Sequence, residues 1–465
     1  MEQLTYFDIA KITGGNMNFP ENFPITGAET DSRRIQKGDL YAAIVGARVD
    51  GHDFIEDAAK AGAVSALVSR PVPSSIPLII VPSVEDALHQ LAKTYLATLA
   101  PYTVAVTGSA GKTTTKEMLF EVFATRYAAA KTQGNFNSTI GLPLTVCRLD
   151  SSVKAAVLEM GTGGKGEIPR MCDIVHPDIA VITNIGTGHI EHFGSREGIR
   201  DEKTALFRAV KPGGVLVVNA DDDMLCPFAK AEDIPARKIT FGLEHPADVT
   251  AKNILSVPDE VHGYRTEFDL CYQGRIQPVI LYTLGNHNVT NALAAAAAGI
   301  AADISLPEIA KALAAFLPDE MRMKVTRCKD GVTLISDVYN SNPEAAKAAL
   351  DSLASAEGGR KIAILGDMLE QGAFSQSAHL SLGQYAAAKA SVILAKGSMS
   401  EAVIQGAASG LSYKNLHSFA TNENVVTYLT SFEFYPDDVV LVKGSRGMKM
   451  EKIVHYIKTK RFEEV

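Results

Sequence analysis

One glycine-rich segment, Thr107-Gly108-Ser109-Ala110-Gly111-Lys112-Thr113-Thr114, constrains the fold of this chain more than any other feature. An apolar strand pattern ends where the segment begins and a helical pattern follows it, which is the context that a phosphate-binding loop requires. Glycines let backbone N–H groups approach phosphate oxygens, and the N-terminus of the following helix adds positive potential. We expect Lys112 to reach the β- and γ-phosphates of a nucleotide and the Thr113 hydroxyl to bind Mg²⁺.

The loop is compressed relative to the usual spacing. Val106 stands where the first glycine is customary, and Gly108 is the first glycine here. The alternative interpretation is an incidental glycine-rich turn between a strand and a helix. The Gly-Lys-Thr-Thr ending disfavours that alternative.

Length and composition indicate a multidomain globular protein. The 465 residues suggest about three domains, at roughly 150 residues each. Hydrophobic residues make up 46% and charged residues 21%, which excludes a disordered, collagen-like or coiled-coil chain. The net charge of −8 argues against a nucleic-acid partner. No apolar stretch could span a membrane, no secretion signal is visible, and five scattered cysteines fit a reduced compartment, so we expect a cytoplasmic protein.

Apolar runs alternate with helical patterns in three blocks, which predicts three α/β domains in series. The first block, residues 1–98, is a small α/β unit. Its strand patterns lie at 38–45, 64–68 and 78–81, and its helix pattern lies at 54–61.

The second block, residues 99–316, predicts a parallel sheet with crossover helices. Its buried-strand runs lie at 102–107, 155–158, 179–183 and 215–219. Residues 247–283 alternate like hairpins and predict a β appendage, followed by helices from about 288 and 307. The third block, residues 317–465, has strand runs at 332–336, 361–365, 392–395 and 439–442.

Polar residues follow two strands of the second block. Ligands collect at the carboxyl ends of strands in an open α/β sheet, so Glu159 is predicted to hold a metal ion near the phosphate loop. A solvated loop carboxylate is the alternative. His189 reaches the same edge, but Mg²⁺ prefers oxygen ligands, so spacing alone leaves a ligand and a structural role equally open. For Lys203 the residues by themselves favour a solvated surface lysine.

Further polar positions fall at a helix start and at three strand ends. Asn288 and Asn291 share one face of a first helical turn, where they would either cap the helix or hydrogen-bond a base edge. In the third block, polar loops follow three strands and predict a substrate-facing rim. These loops are Asp337-Val338-Tyr339-Asn340-Ser341-Asn342, Gly366-Asp367-Met368-Leu369-Glu370 and Lys443-Gly444-Ser445-Arg446.

Taken in order, these motifs resemble those of the ATP-dependent Mur ligases over nearly the whole chain. The resemblance implies an α/β fold of three domains: a small N-terminal domain (1–98) that binds the UDP-substrate, a central phosphate-loop parallel-sheet ATPase domain (99–316) and a Rossmann-like C-terminal ligase domain (317–465). The segment Asp31-Ser32-Arg33 is similar to the UDP-substrate-binding part of such enzymes.

The resemblance also implies a mechanism and residue roles. Such ligases activate a carboxylate as an acyl phosphate with ATP and Mg²⁺, and an amine then displaces phosphate. By resemblance, Thr113 and Glu159 hold one Mg²⁺, while His189 and a carbamylated Lys203 hold a second, with Lys112, Glu159, His189 and Lys203 as the catalytic set. Nucleotide contacts are expected from Asn288, Asn291, Arg322 and Asp337, and substrate contacts from Asp31, Ser32, Arg33, Asn340, Asn342, Lys443, Ser445 and Arg446. Many members carry Asp-His where this chain has Gly188-His189, so no carboxylate role is expected at 188.

Within the family, the third block is most similar to the member that adds D-alanyl-D-alanine to UDP-N-acetylmuramoyl-tripeptide. The Asp-Asn-Pro-Arg signature of the tripeptide-forming member is absent. That member, a folylpolyglutamate-synthase-like ligase and a nucleotide-dependent switch are the alternatives. We expect a monomeric acid–amino-acid ligase of peptidoglycan synthesis, with the third peptide residue open between L-lysine and diaminopimelate.

Overall fold

The computed structural model describes residues 1–2 and 4–462. Three β-sheets of five, nine and six strands follow one another along this part of the chain. Each sheet combines with helices, so the fold class predicted from the sequence, three α/β domains, is confirmed. The predicted boundaries at 98/99 and 316/317 stay predictions.

The first domain contains a five-stranded sheet in the order β1-β5-β4-β3-β2. Its strands are β1 (Asn16–Met17), β2 (Gly27–Glu29), β3 (Asp39–Ala42), β4 (Ser65–Val68) and β5 (Leu78–Ile80). Its helices are α1 (Tyr6–Thr13), α2 (Ile55–Ala61) and α3 (Val84–Leu99). Only β1 runs antiparallel to its neighbour. The predicted strand at 38–45 is shorter than expected, because the chain turns back after Ala42 and exposes Val45.

The central domain contains a nine-stranded sheet in the order β14-β13-β12-β11-β10-β9-β6-β8-β7. Its strands are β6 (Tyr102–Thr107), β7 (Ala129–Lys131), β8 (Ala155–Glu159), β9 (Ile179–Ile182), β10 (Val215–Asn219), β11 (Arg237–Phe241), β12 (Val249–Asp259), β13 (Gly263–Tyr272) and β14 (Arg275–Leu281). Its helices are α4 (Lys112–Ala124), α5 (Gly141–Cys147), α6 (Glu167–Ile174), α7 (Ile190–Phe193), α8 (Arg196–Arg208), α9 (Asn286–Ala301) and α10 (Leu306–Ala315).

The predicted hairpins at 247–283 exist, and they are attached to the central sheet. Strand β12 pairs with β11 in parallel at Phe241 and Val249, so the antiparallel strands β12, β13 and β14 extend the central sheet. Both faces of the parallel part are covered, which explains its continuous apolar runs. The alanine-rich α9 packs against α4, because its small side chains allow the two helices to approach closely.

The third domain contains a six-stranded sheet in the order β15-β16-β20-β17-β18-β19. Its strands are β15 (Lys324–Arg327), β16 (Thr333–Asp337), β17 (Lys361–Gly366), β18 (Val392–Lys396), β19 (Leu416–Phe419) and β20 (Val439–Lys443). Its helices are α11 (Pro343–Ser355), α12 (Ser375–Ala387), α13 (Ser400–Ala407), α14 (Asn422–Ser431) and α15 (Glu451–Phe462). Strands β16, β20 and β17 are adjacent and parallel, so the three polar loops that follow them lie at one edge of the sheet.

Among the described helices, none combines the length and the apolar character needed to cross a lipid bilayer.

Candidate active site between the central and C-terminal domains

A cleft of about 1370 Å³ opens between the central and C-terminal domains. The phosphate loop and the strand-end loops of the central sheet line one side. The loops after β16 and β20 line the other side. The cleft therefore brings together residues that are far apart in sequence.

The phosphate loop connects β6 to α4, and two of its glycines are sterically required. Gly108 has φ +154°, and a Cβ there would lie 1.8 Å from Oγ1 of Thr183. Gly111 has φ +79°, and a Cβ there would lie 2.4 Å from Oδ1 of Asn291. Neither position can accept a side chain without a shift of its neighbours, because the loop backbone packs closely against Thr183, which follows β9, and against Asn291 of α9.

Lys112 opens α4 and lines the cleft. Its ammonium folds back and donates to the carbonyl of Gly108 at 2.8 Å. Burial lowers the pKa of Lys112, and the nearby Glu159 carboxylate partly opposes that shift. An anion in the loop is the partner that this ammonium lacks.

Glu159 ends β8 directly beneath the loop and is only 1% exposed. Its Oε1 accepts hydrogen bonds from Thr113 Oγ1 at 3.1 Å and from Asn137 Nδ2 at 2.7 Å. Its Oε2 is buried and, among the described residues, has no hydrogen-bond partner. An orphaned carboxylate oxygen beside a threonine hydroxyl fits the oxygen ligands that Mg²⁺ prefers. Among the described residues, no group of three or more His, Cys, Asp or Glu side chains is placed to hold a metal ion.

His189 lies on the same edge of the central sheet and lines the cleft. Its φ of +60° is unusual for a residue with a side chain. Its Nδ1 lies 2.6 Å from Oε2 of Glu370, which belongs to the C-terminal domain and also has positive φ, +63°. The imidazole and the carboxylate therefore face one another across the domain interface.

Lys203 is 2% exposed, so the solvated surface lysine favoured by the residues alone is excluded. It lies on α8 behind the cleft and does not line it. Burial lowers the pKa of Lys203 well below its ordinary value, and the charge of Lys112 lowers it further. A neutral amine is the form that reacts with CO₂.

Asn288 and Asn291 are buried on the first turns of α9, and the capping alternative is wrong because Gly285 is the N-cap residue. Asn288 Nδ2 donates to Thr283 Oγ1 at 3.1 Å and to the Leu284 carbonyl at 2.9 Å. Asn291 donates to Asn288 at 3.3 Å, and both line the cleft behind the phosphate loop.

The C-terminal side of the cleft carries a buried ion pair and a stacked arginine. Lys443, 2% exposed, donates to Asp337 Oδ2 at 2.6 Å and to the Asn340 carbonyl at 2.9 Å. The guanidinium of Arg322 lies 3.8 Å from the ring centroid of Tyr339. Asp337 and Arg322 both line the cleft.

The remaining predicted rim residues divide by role. Asn342 Oδ1 accepts from the Ala345 N–H at 2.8 Å and so caps α11, while its Nδ2 donates to the Ser109 carbonyl at 3.2 Å. Arg446 lines the cleft, whereas Ser445 is buried behind it and accepts from the Leu369 N–H at 2.9 Å. Asn342 thus joins the C-terminal domain to the phosphate loop.

The segment Asp31-Ser32-Arg33 lies in the first domain and does not line the cleft. Asp31 caps a short 3₁₀ turn and pairs with Arg33, with Nη2 to Oδ2 at 2.7 Å. Hydrogen bonding to Arg33 lowers the pKa of Asp31 to about 2. Arg33 is largely exposed and available for an anionic ligand.

Two residues that line the cleft, Lys116 and Glu344, were not predicted from the sequence. Lys116 follows Lys112 by one helical turn, a spacing that would have placed it on the same face of α4. Glu344 accepts from the N–H of Thr187 at 3.0 Å and bridges the domains. No local signal in the sequence predicts that contact.

The fold and the site together define an ATP-binding α/β ligase of three domains, and the comparisons give the family. Residues 24–96 match the Mur ligase family catalytic domain, 106–299 the Mur ligase middle domain, and 321–446 the Mur ligase glutamate ligase domain. The chain belongs to the Mur ligase family.

Individual relatives align over nearly the full length. The UDP-N-acetylmuramoyl-tripeptide–D-alanyl-D-alanine ligase of Bacillus subtilis is 35% identical, with 98% of each chain covered. MurF from Acinetobacter baumannii, known from a crystal structure, is 32% identical in sequence. The superposition covers 96% of this chain and 97% of the MurF chain, with a TM-score of 0.87. MurF ligase of Thermotoga maritima in complex with ADP is 27% identical, with coverage of 94% and 98% and a TM-score of 0.82.

Proposed function

We propose that the protein is an ATP-dependent amide-bond-forming ligase that joins D-alanyl-D-alanine to UDP-N-acetylmuramoyl-tripeptide. The product would be the UDP-muramoyl-pentapeptide precursor of peptidoglycan. One observation carries the proposal: a phosphate loop and a buried, half-satisfied carboxylate face a cleft that the C-terminal domain completes. The full-length similarity to ligases of that name supports the choice of substrates.

The first step is transfer of the γ-phosphoryl group of ATP to the tripeptide carboxylate. Each group of cleft residues has its own role in this step. Lys112 binds phosphate oxygens in place of the Gly108 carbonyl. Thr113 and Glu159 would hold Mg²⁺, which would offset the repulsion between the carboxylate and the γ-phosphate. Asn288 and Asn291 would contact the adenine, Asp337 the ribose and Arg322 the phosphates. The dipeptide amine then attacks the acyl phosphate carbonyl, and phosphate leaves.

Lys203 is proposed to carry a carbamate, which would provide a carboxylate on a long arm. Its buried, cation-facing position favours the neutral amine that carbamylation needs. Together with His189 the carbamate would hold a second Mg²⁺. Because His189 Nδ1 faces Glu370 Oε2, Nε2 is proposed as the ligand atom.

The proposed substrate path extends over all three domains. Asp31, Ser32 and Arg33 would contact the UDP-substrate, and Asn340, Asn342, Lys443, Ser445 and Arg446 would shape the C-terminal side. Since Asn342 and Ser445 already use their polar atoms within the protein, they are proposed to position neighbouring groups. We propose that the reaction takes place in the cytoplasm and that the enzyme is a monomer.

Phosphate release from ATP tests the proposal. Release should require both UDP-muramoyl-tripeptide and D-alanyl-D-alanine, and the product should gain the dipeptide mass less one water. Tripeptides that end in L-lysine and in diaminopimelate should be compared. Release with UDP-muramoyl-dipeptide and a free amino acid would indicate the tripeptide-forming ligase instead. Release that needs neither substrate would leave only a nucleotide hydrolase.

Two variants test the residue roles. Lys112→Ala should abolish ATP-dependent ligation and leave binding of the UDP-substrate largely intact. Lys203→Ala should be nearly inactive and should regain activity with added short carboxylates, because these replace the carbamate. A fully active Lys203→Ala enzyme would contradict the carbamate.

A further inference from the structure

Lys116 is a buried cation that the mechanism above does not use. It lies one helical turn after Lys112 on α4 and is 1% exposed. Burying an ammonium is costly unless it is paired and hydrogen-bonded. The position of Lys116 beneath the phosphate loop therefore calls for a specific set of partners.

The partners of Lys116 lead to Glu159 by two routes. Lys116 Nζ donates to the carbonyl of Thr132 at 2.9 Å, and the hydroxyl of the same threonine accepts the backbone N–H of Glu159 at 3.0 Å. Lys116 Nζ also lies 3.9 Å from Glu159 Oε2, the oxygen without a hydrogen bond. One ammonium thus fixes the strand end that carries Glu159 and faces its free oxygen.

The other carboxylate near Lys116 is already satisfied. Glu117 Oε1 lies 2.8 Å from Lys116 Nζ, and Glu117 Oε2 pairs with Lys131. Lys131 is partly exposed and also lies over the ring of Phe120, with Nζ 4.1 Å from the centroid. Lys131 contacts Glu117 but makes no described contact with Glu159. Substitution of Lys131 therefore removes a positive charge beside Glu117, whereas substitution of Lys116 also removes the contact with Glu159.

We propose that Lys116 is a positioning residue for Glu159: it holds the carboxylate so that Oε2 is presented to the Mg²⁺ bound with the nucleotide. The inference rests on the proposed use of ATP and Mg²⁺. On this proposal Lys116 acts through Glu159 and Thr132, its partners in the structure. Groups that orient metal ligands in this way contribute strongly to metal affinity.

Mn²⁺ binding to the full-length protein, followed by electron paramagnetic resonance with ADP present, tests the inference. Lys116→Met should weaken Mn²⁺ binding in the ADP complex by roughly 10-fold or more, as for other residues that support a metal ligand. ADP binding in EDTA should stay close to that of the unaltered protein, because the charge of Lys116 is matched by Glu117 rather than by the nucleotide.

Lys131→Met is the matched control, since it removes a lysine from the same cluster without removing a contact to Glu159. It should leave Mn²⁺ binding nearly unchanged. Lys116→Arg keeps the charge and should recover part of the metal affinity. If Lys116→Met does not fold, Lys116→Gln, which has no charge but keeps an amide donor on a shorter side chain, takes its place.

Three results would overturn the inference: Mn²⁺ binding by the Lys116→Met or Lys116→Gln protein that is unchanged or tighter, an equal loss in Lys131→Met, or an equal loss of ADP binding in EDTA. The measurement uses neither peptide substrate. If only the Lys116 variants lose Mn²⁺ binding and the unaltered protein does not ligate the two substrates, the proposed function is refuted and the role of Lys116 stands. If the unaltered protein ligates them and the Lys116 variants bind Mn²⁺ normally, the proposed function stands and the role of Lys116 is refuted.

Discussion

Replacement of Gly111 by alanine tests whether the phosphate loop needs the geometry seen here. Gly111 has φ +79°, where a side chain costs about 1–2 kcal/mol in strain. Gly213 has almost the same φ, +78°, and a Cβ there would meet nothing within 4 Å. Gly213→Ala therefore carries the same backbone strain without a clash. A difference in ADP affinity between the two variants then reports the clash and not the strain.

The difference between the two variants is the clash with Asn291. A Cβ at 111 would lie 2.4 Å from Asn291 Oδ1, so either the loop or the amide must move. If the amide moves, it loses the hydrogen bonds with Thr115 and Asn288. At about 1 kcal/mol for each, the loss is about 2 kcal/mol. If the loop moves instead, the N–H groups that face the phosphates lose their alignment.

Isothermal titration of ADP measures the effect. In the free Gly111→Ala protein the loop shifts to relieve the clash, and ADP binding then has to restore the loop and displace the Asn291 amide. We therefore expect Gly111→Ala to bind ADP roughly 30-fold more weakly, the equivalent of about 2 kcal/mol, and Gly213→Ala to bind it like the unaltered protein. Equal ADP affinities for the two variants would refute the reasoning, because they would show that the loop and Asn291 adjust without cost.

Further predictions concern the domain interface and the first domain. Asn342→Ala should lose about 1 kcal/mol of stability from helix capping and should raise the KM for ATP. Thr421→Ala, which removes the cap of α14 away from the cleft, should lose stability only. Denaturant unfolding measures the loss of stability, and ATP kinetics measure the change in KM. Because Arg33 lowers the pKa of Asp31 to about 2, the stabilisation from this pair is present above the ordinary carboxyl pKa and is lost as the pH falls through about 2. Arg33→Gln should raise the pKa of Asp31 in an NMR titration at low salt, and a small stability effect is expected because Arg33 is exposed and screened.

The parts of the fold that the sequence predicts are those with local signals. Strands β6 and β10 match the predicted bounds, because buried parallel strands read as unbroken apolar runs. Helix α3 was missed although its buried Leu88, Leu91 and Tyr95 follow a helical period. The short edge strands β1 and β15 carry no comparable pattern.

The candidate site was predictable to the extent that it follows strand ends. The phosphate loop and Glu159 meet because adjacent parallel strands bring their carboxyl ends together. The burial of Lys203 depends on how α8 packs, and the contact of Asn342 with Ser109 joins residues 233 positions apart. Such properties arise from tertiary packing, which no single stretch of sequence encodes.

Two helices from different domains begin at the cleft. Helix α4 starts at Lys112 in the loop itself, and α11 starts behind Asn342, whose amide touches the loop. Each N-terminus carries a partial positive charge of about half a unit. Bound phosphate would attract both N-termini, so we expect the association of the two domains to strengthen with the negative charge of the nucleotide. Loss of the γ-phosphate would then weaken the contact at the moment when the product has to leave.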